Sequence, residues 1–256
     1  MIGFDFPIMP GWVHDVLALW QSNQPMNVLL QAALDRTMHE LGGVKTRKNT
    51  LSIIVRNFVP TTGAITTRRT LEHNVWASYS HRYGAGTLAP AYLARLVMSN
   101  EVAQTAVQFI RRRCRPGESL QSGELRMQII SRYGERKVVT NAVSAVLRTL
   151  QYFGVLAESE RQGMYRFIGP LDVPHDVFPL MVWGWWQAHP TPQIDLDAFD
   201  QDASLALVNL ANMVDCWRAF QPALWVLSER LDARQAVLRD AEMTTFEKAM
   251  IGQVAA

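Results

Sequence analysis

Glu124–Ile168, ELRMQIISRYGERKVVTNAVSAVLRTLQYFGVLAESERQGMYRFI, decides how this chain is read. Apolar residues recur at helical spacing from Glu124 to Tyr133, and Gly134 breaks the run. A longer helix follows from about Arg136 to Phe153, and Gly154 ends it. Val155-Leu156 and Met164–Ile168 then pair as strands across the polar tip Glu158–Gly163. Helix, short turn, longer helix and hairpin is the order of a winged helix-turn-helix, a motif whose turn often holds glycine.

The second helix has two faces. Val139, Val143, Val146, Leu147 and Leu150 form an apolar stripe for packing. Lys137, Asn141, Ser144, Arg148 and Gln151 follow one another at steps of four and three, so they share another face. These side-chain types hydrogen-bond to base edges and phosphates. Arg161 and Arg166 fall on the expected wing. The stretch therefore points to double-stranded DNA as the partner.

Charge along the chain agrees. From Arg36 to Arg166 there are 20 Lys and Arg against 8 Asp and Glu, a local net of +12. Residues 1–35 carry −3 and residues 167–256 carry −7, so the overall +2 conceals a basic middle between acidic ends. Such asymmetry indicates a surface facing a polyanion. Lys45, Arg47 and Lys48 stand at the entry of one expected helix, and Arg111, Arg112 and Arg113 close another; both clusters are candidate phosphate contacts. The second also has a purely structural explanation, because cations at a helix C-terminus complement the helix dipole.

Outward from this stretch the pattern is helical. Helices are expected over residues 11–22, Met26–Glu40, Thr46–Phe58, Arg68–Tyr83 (capped by Thr66 or Thr67), Leu88–Ser99 and Glu101–Cys114. After Gly169-Pro170 the chain turns acidic and Trp-rich. There Pro174–Ala188, Asp202–Phe220, Ala223–Ala241 and Thr245–Val254 are expected as helices. The fold class expected is mostly α: a helical bundle with a winged helix-turn-helix element and a small β-hairpin wing. The expected divisions are 1–115, an N-terminal helical domain; 116–170, the winged-helix element; and 171–256, an acidic C-terminal helical region.

Signals for catalysis are missing. The chain contains no GxxxxGK[ST], no GxGxxG after a strand, no HExxH and no GxSxG. The six histidines are scattered. Asp195, Asp197, Asp200 and Asp202 are the densest carboxylates, but they lack the glycine and final glutamate of an EF-hand loop, and helix capping accounts for them. No enzyme activity, cofactor or metal is expected. Cys114 and Cys216 make no CxxC pair, which fits a reducing cytoplasm. The apolar run Val177–Trp186 is half the length of a bilayer span, so no membrane partner is expected.

Leu34–Leu156 resembles the BrxA proteins of bacterial BREX phage-defence systems. The resemblance rests on LDRT (Leu34–Thr37) and TRK (Thr46–Lys48) leading into a helix that ends at Phe58, then HNVWASYSHRYG, LAPAYLARLV and, most specifically, KVVTNAVSAVLRTLQYFGVL. It covers about half the chain, and the acidic Trp-rich tail departs from it. The resemblance implies an all-helical DNA-binding protein with a winged helix, acting in prokaryotic antiviral defence beside other defence-system proteins. The alternative reading is a protein-interaction subunit that uses the winged helix and the acidic tail for docking.

Overall fold

The first helices form because their apolar residues share one side. The computed structural model describes residues 6–59, 74–210, 213–230, 233–238, 248–250 and 252. α1 (Pro10–Ala18) starts at a proline, whose missing N–H costs nothing in a first turn, and buries Trp12, Val13, Val16 and Leu17. α2 (Met26–Arg36) and α3 (Val44–Phe58) form an adjacent pair. α4 (Val75–Arg82) is capped by Asn74, whose side chain accepts the N–H groups of Trp76 and Ala77. The expected start of this helix at Arg68, with its threonine cap, lies outside the described residues. α5 (Ala85–Met98) is buried along most of its length.

α6 (Glu101–Arg113) leads to β1 (Ser119–Gln121), α7 (Ser122–Tyr133), α8 (Lys137–Tyr152), β2 (Leu156–Glu158) and β3 (Met164–Phe167). Gly134 ends α7 at φ 79°, a left-handed conformation that glycine adopts freely. β3 lies between β1 and β2, antiparallel to both, with Arg166 opposite Ser119 on one side and Ala157 on the other. The hairpin is thus the larger part of a three-stranded sheet. α8 packs its valine and leucine face against α6 and α7. The N-terminal segment reaches the same helix, where the Ile8 N–H donates to Thr149 Oγ1 at 3.0 Å.

The C-terminal region overturns the expectation of a helical bundle with one hairpin. β4 (Leu171–Asp172) pairs in parallel with β6 (Val208–Asn209). Between them lie α9 (Phe178–Ala188), β5 (Gln193–Asp195) and α10 (Leu196–Asp200), and after them α11 (Met213–Ala219), β7 (Trp225–Arg230) and β8 (Ala233–Leu238). β8 is the centre of an antiparallel sheet ordered β5-β8-β7. The fold is therefore mixed, with eight strands in three small sheets among the described residues. The expected helices Asp202–Phe220 and Ala223–Ala241 are replaced by short segments and a β-hairpin. The cause is period-two burial: Trp225 is buried, Val226 is 49% exposed, and Leu227 turns back toward the core. Trp225 then stacks edge-on against Trp217 with ring centroids 4.6 Å apart, and its indole N–H donates to the Trp217 carbonyl at 2.7 Å. Most of the expected helix Thr245–Val254 lies outside the described residues.

The buried apolar side chains form one cluster that runs through all three expected divisions. α5 is its axis, packed between α1 and α9. Arg95 in the last turn of α5 donates to the carbonyls of Asn57 (3.0 Å) and Gly184 (3.4 Å), so it joins α3 and α9, and burial lowers its pKa. Gly184 lets α9 approach the Trp76 ring closely, since a Cβ there would lie 3.1 Å from that ring.

Candidate nucleic-acid interface

α8 sorts its residues sharply. Val139, Val143, Val146 and Leu150 are buried, while Lys137, Val138, Asn141, Ser144 and Arg148 are exposed. At 1.5 Å per residue, Lys137 to Arg148 makes an outward row roughly 16 Å long. Gln151, the next in the row, is half-buried. Ser144 Oγ donates back to the Thr140 carbonyl at 3.2 Å. Among the described residues, Lys137 and Asn141 make no side-chain hydrogen bond or ion pair.

Arg148 is held in place at the far end of the row. Its guanidinium lies over the Tyr152 ring, 5.1 Å from the centroid, and donates to Gln151 Oε1 at 3.4 Å. Contact with the Tyr152 side chain is the main reason its pKa is raised further, with Glu158 and Tyr165 of the wing sheet adding to the effect. Tyr152 packs edge-on against Trp12 of α1 at 5.9 Å, and the Trp12 indole N–H donates to the Glu40 carboxylate. That bond is the first cause of the lowered Glu40 pKa. A chain of side chains from the loop after α2 thus ends beneath Arg148.

Arg166 is exposed at the middle of the wing sheet, facing uncharged residues on both neighbouring strands. Arg161 is exposed at the wing tip. The tip is anchored, because the Gly163 carbonyl accepts the Ser122 N–H at 2.8 Å, which ties the hairpin to the start of α7.

The other two basic clusters behave differently. Arg111, Arg112 and Arg113 are exposed in the last turn of α6, a helix that begins with Glu101. Arg113 Nε lies 3.6 Å from Glu124 Oε2 at the start of α7. Arg112 and Arg113 line a groove of about 310 Å³ between α6 and α7, together with Arg132 and Gln128. Those two α7 residues were not anticipated, although their four-residue spacing places them on one side of the helix. At α3, Lys45 and Lys48 are exposed, while Arg47 is half-buried. Its Nη1 donates to the Leu34 carbonyl at 3.1 Å, bracing α3 against the end of α2.

The helix dipole separates these clusters. In α6 the acid is at the start and the cations are at the end, which stabilises the helix. In α8 the cap is Arg136, with no side-chain cap, and Lys137 follows with no acid in the first turn. α3 likewise has no acid in its first turn and no side-chain cap. Cations at these N-termini oppose the dipole, a cost of about 0.3–1 kcal/mol each.

The aspartates of residues 195–202 are largely engaged. Asp195 accepts the N–H groups of Asp197 and Ala198, Asp197 pairs with Arg234, and Asp202 accepts the Trp185 indole N–H at 2.9 Å and the Ser204 N–H at 2.8 Å. Among the described residues no group of three or more His, Cys, Asp or Glu is gathered as a metal site would require. No described helix is long and apolar enough to cross a membrane.

No protein-family model matches the chain, and no curated protein matches it. Two solved structures resemble its fold. One is described as a magnesium ion-bound SspB crystal structure, at TM-score 0.56 and 12% identity, covering 98% of this chain and 86% of that one. The other is an SspB crystal structure, at TM-score 0.55 with the same identity and coverage. At this identity the likeness establishes a shared fold.

Proposed function

We propose that the chain is a non-catalytic, double-stranded-DNA-binding protein that works in the cytoplasm as a component of a prokaryotic anti-phage defence system. The helix–turn–helix–hairpin of α7, α8, β2 and β3 acts as a winged helix. Lys137, Asn141, Ser144 and Arg148 enter the major groove, and Arg161 and Arg166 grip phosphates from the wing. Lys45, Lys48 and Arg111–Arg113 contribute to the surrounding positive field. The defence assignment is supported by the resemblance of Leu34–Leu156 to BrxA proteins. The observation that carries DNA binding is the exposed polar row on α8, with Arg136 and Lys137 at the wrong end of the dipole. Such placement costs the helix stability and is offset when phosphate approaches its N-terminus.

The test is fluorescence anisotropy with a labelled duplex, comparing the chain with the double variant K137E/R148E. The expected result is loss of binding by the variant with unchanged folding. Equal binding by both would remove α8 as the interface.

A second reading, as a protein-docking subunit, is favoured by the groove of about 490 Å³ between α2 and α3. Leu30, Leu34, Leu51 and Val55 give it an apolar floor, with Lys48 and Arg56 at its edge. A chain that binds no duplex at low salt would favour this reading.

A further inference from the structure

Val138 lies in the first turn of α8 and is 42% exposed, whereas its neighbour Val139 is fully buried. A β-branched residue is a weak helix former, and at an exposed position no packing compensates for it. Lys137 precedes it, and Asn141 stands three residues on, so all three project from the same part of the helix surface. Asn141 is exposed, and its carboxamide makes no hydrogen bond among the described residues. The outer face of α8 therefore begins with a cation, a branched apolar group and an unengaged carboxamide.

Each group has a natural complement in a major groove. An apolar side chain matches the C5-methyl of thymine, the apolar projection among the base edges there. A carboxamide donates to adenine N7 and accepts from N6, a bidentate match that the other bases do not offer. Three residues of helix advance about 4.5 Å, against a rise of about 3.4 Å per base pair. Val138 and Asn141 thus reach the same base pair or adjacent ones.

We propose that Val138 and Asn141 make α8 a reader of A·T pairs, with Val138 packed on a thymine methyl and Asn141 hydrogen-bonded to adenine. The proposal rests on the reading of α8 as the DNA-facing helix. Lys137 and Arg148 at the two sides supply contacts to phosphate or guanine, which leaves the A·T discrimination to the pair between them.

The experiment selects duplexes from a random pool with the full chain, then replaces each thymine of the selected site by deoxyuridine, one position at a time. Uracil pairs as thymine does but lacks the methyl group. The expected result is one position at which uracil weakens binding roughly fourfold, the effect of about one buried methyl. V138A binds the thymine and uracil sites equally. N141A loses its preference for adenine at the same or the adjacent pair, by roughly tenfold. V226A, which alters another exposed valine, on β7, keeps the discrimination of the parent, and thermal unfolding of V138A shows that the fold is retained. The proposal is overturned if selection yields no preferred site, if no uracil substitution matters, or if V138A still distinguishes thymine from uracil. A chain that binds no duplex at any salt fails at the earlier step, and the DNA reading itself falls with it.

Discussion

The end of α6 and the start of α8 carry similar positive charge and stand in opposite relation to their helices. Arg111–Arg113 form the last turn of a helix that opens on Glu101, so their charges stand at the negative end of the dipole. Arg136 and Lys137 open a helix with no acid in its first turn and no side-chain cap. Exposure does not distinguish the two sets, since all five residues are on the surface. What separates them is whether the fold itself gains from the charge. A cluster that stabilises its own helix needs no ligand to explain it; one that opposes its helix is better evidence for an anionic partner.

Charge reversal gives the largest expected contrast. K137E/R148E should weaken duplex binding by roughly 100-fold or more, by loss of phosphate and base contacts worth about 1–3 kcal/mol apiece, with the chain still folded. R111E/R112E should reduce binding far less while lowering the midpoint. Equal binding losses in the two variants would erase the distinction between the clusters.

Removing the support of Arg148 sharpens the picture at its own end of α8. Y152A deletes the ring beneath the guanidinium and the partner of Trp12. A loss of duplex affinity of roughly threefold to fivefold is expected, the size of a cation–π contact of about 0.5–1 kcal/mol. R148A in the Y152A background should then show a smaller penalty than in the parent chain. Additive losses would show that Tyr152 does not position Arg148.

Single neutralisations should move stability in opposite directions. R112A lowers unfolding free energy by about 0.3–1 kcal/mol, and K137A raises it by a few tenths, following the dipole rule. Denaturant melts resolve the sign, and a K137A variant less stable than the parent would contradict the account. The smallest effect concerns pH. The Glu40 pKa is lowered chiefly by the Trp12 indole N–H, so this contact contributes stability above the ordinary carboxylate range and loses it as pH falls through the lowered value. E40Q should flatten that part of the acid-side stability profile.

Much of this was legible in the sequence. The two faces of α8 followed from steps of four and three, and the turn at Gly134 followed from its place between two amphipathic runs. β1 escaped notice because three residues, Ser119–Gln121, carry too little pattern. The β7–β8 hairpin differs from the expected helix because Leu224, Leu227, Leu231 and Leu238 fit a helical spacing, while burial obeys the Trp225–Leu227 alternation. Arg47 is half-buried because it stands on the stripe that continues through Leu51, Ile54 and Phe58, which face the core, a placement that its four- and three-residue spacing implies. The line from Glu40 through Trp12 and Tyr152 to Arg148 was beyond reach, since it joins segments more than a hundred residues apart through side-chain geometry alone.

The claim that α8 presents a DNA-binding face is tested most directly by the salt dependence of duplex binding, measured for the chain and for K137E/R148E. Affinity of the chain should fall steeply with salt, as released counterions require, with a slope shallower by roughly two in the variant. A chain that binds no duplex at low salt, or a variant whose affinity and slope equal those of the parent, would contradict it.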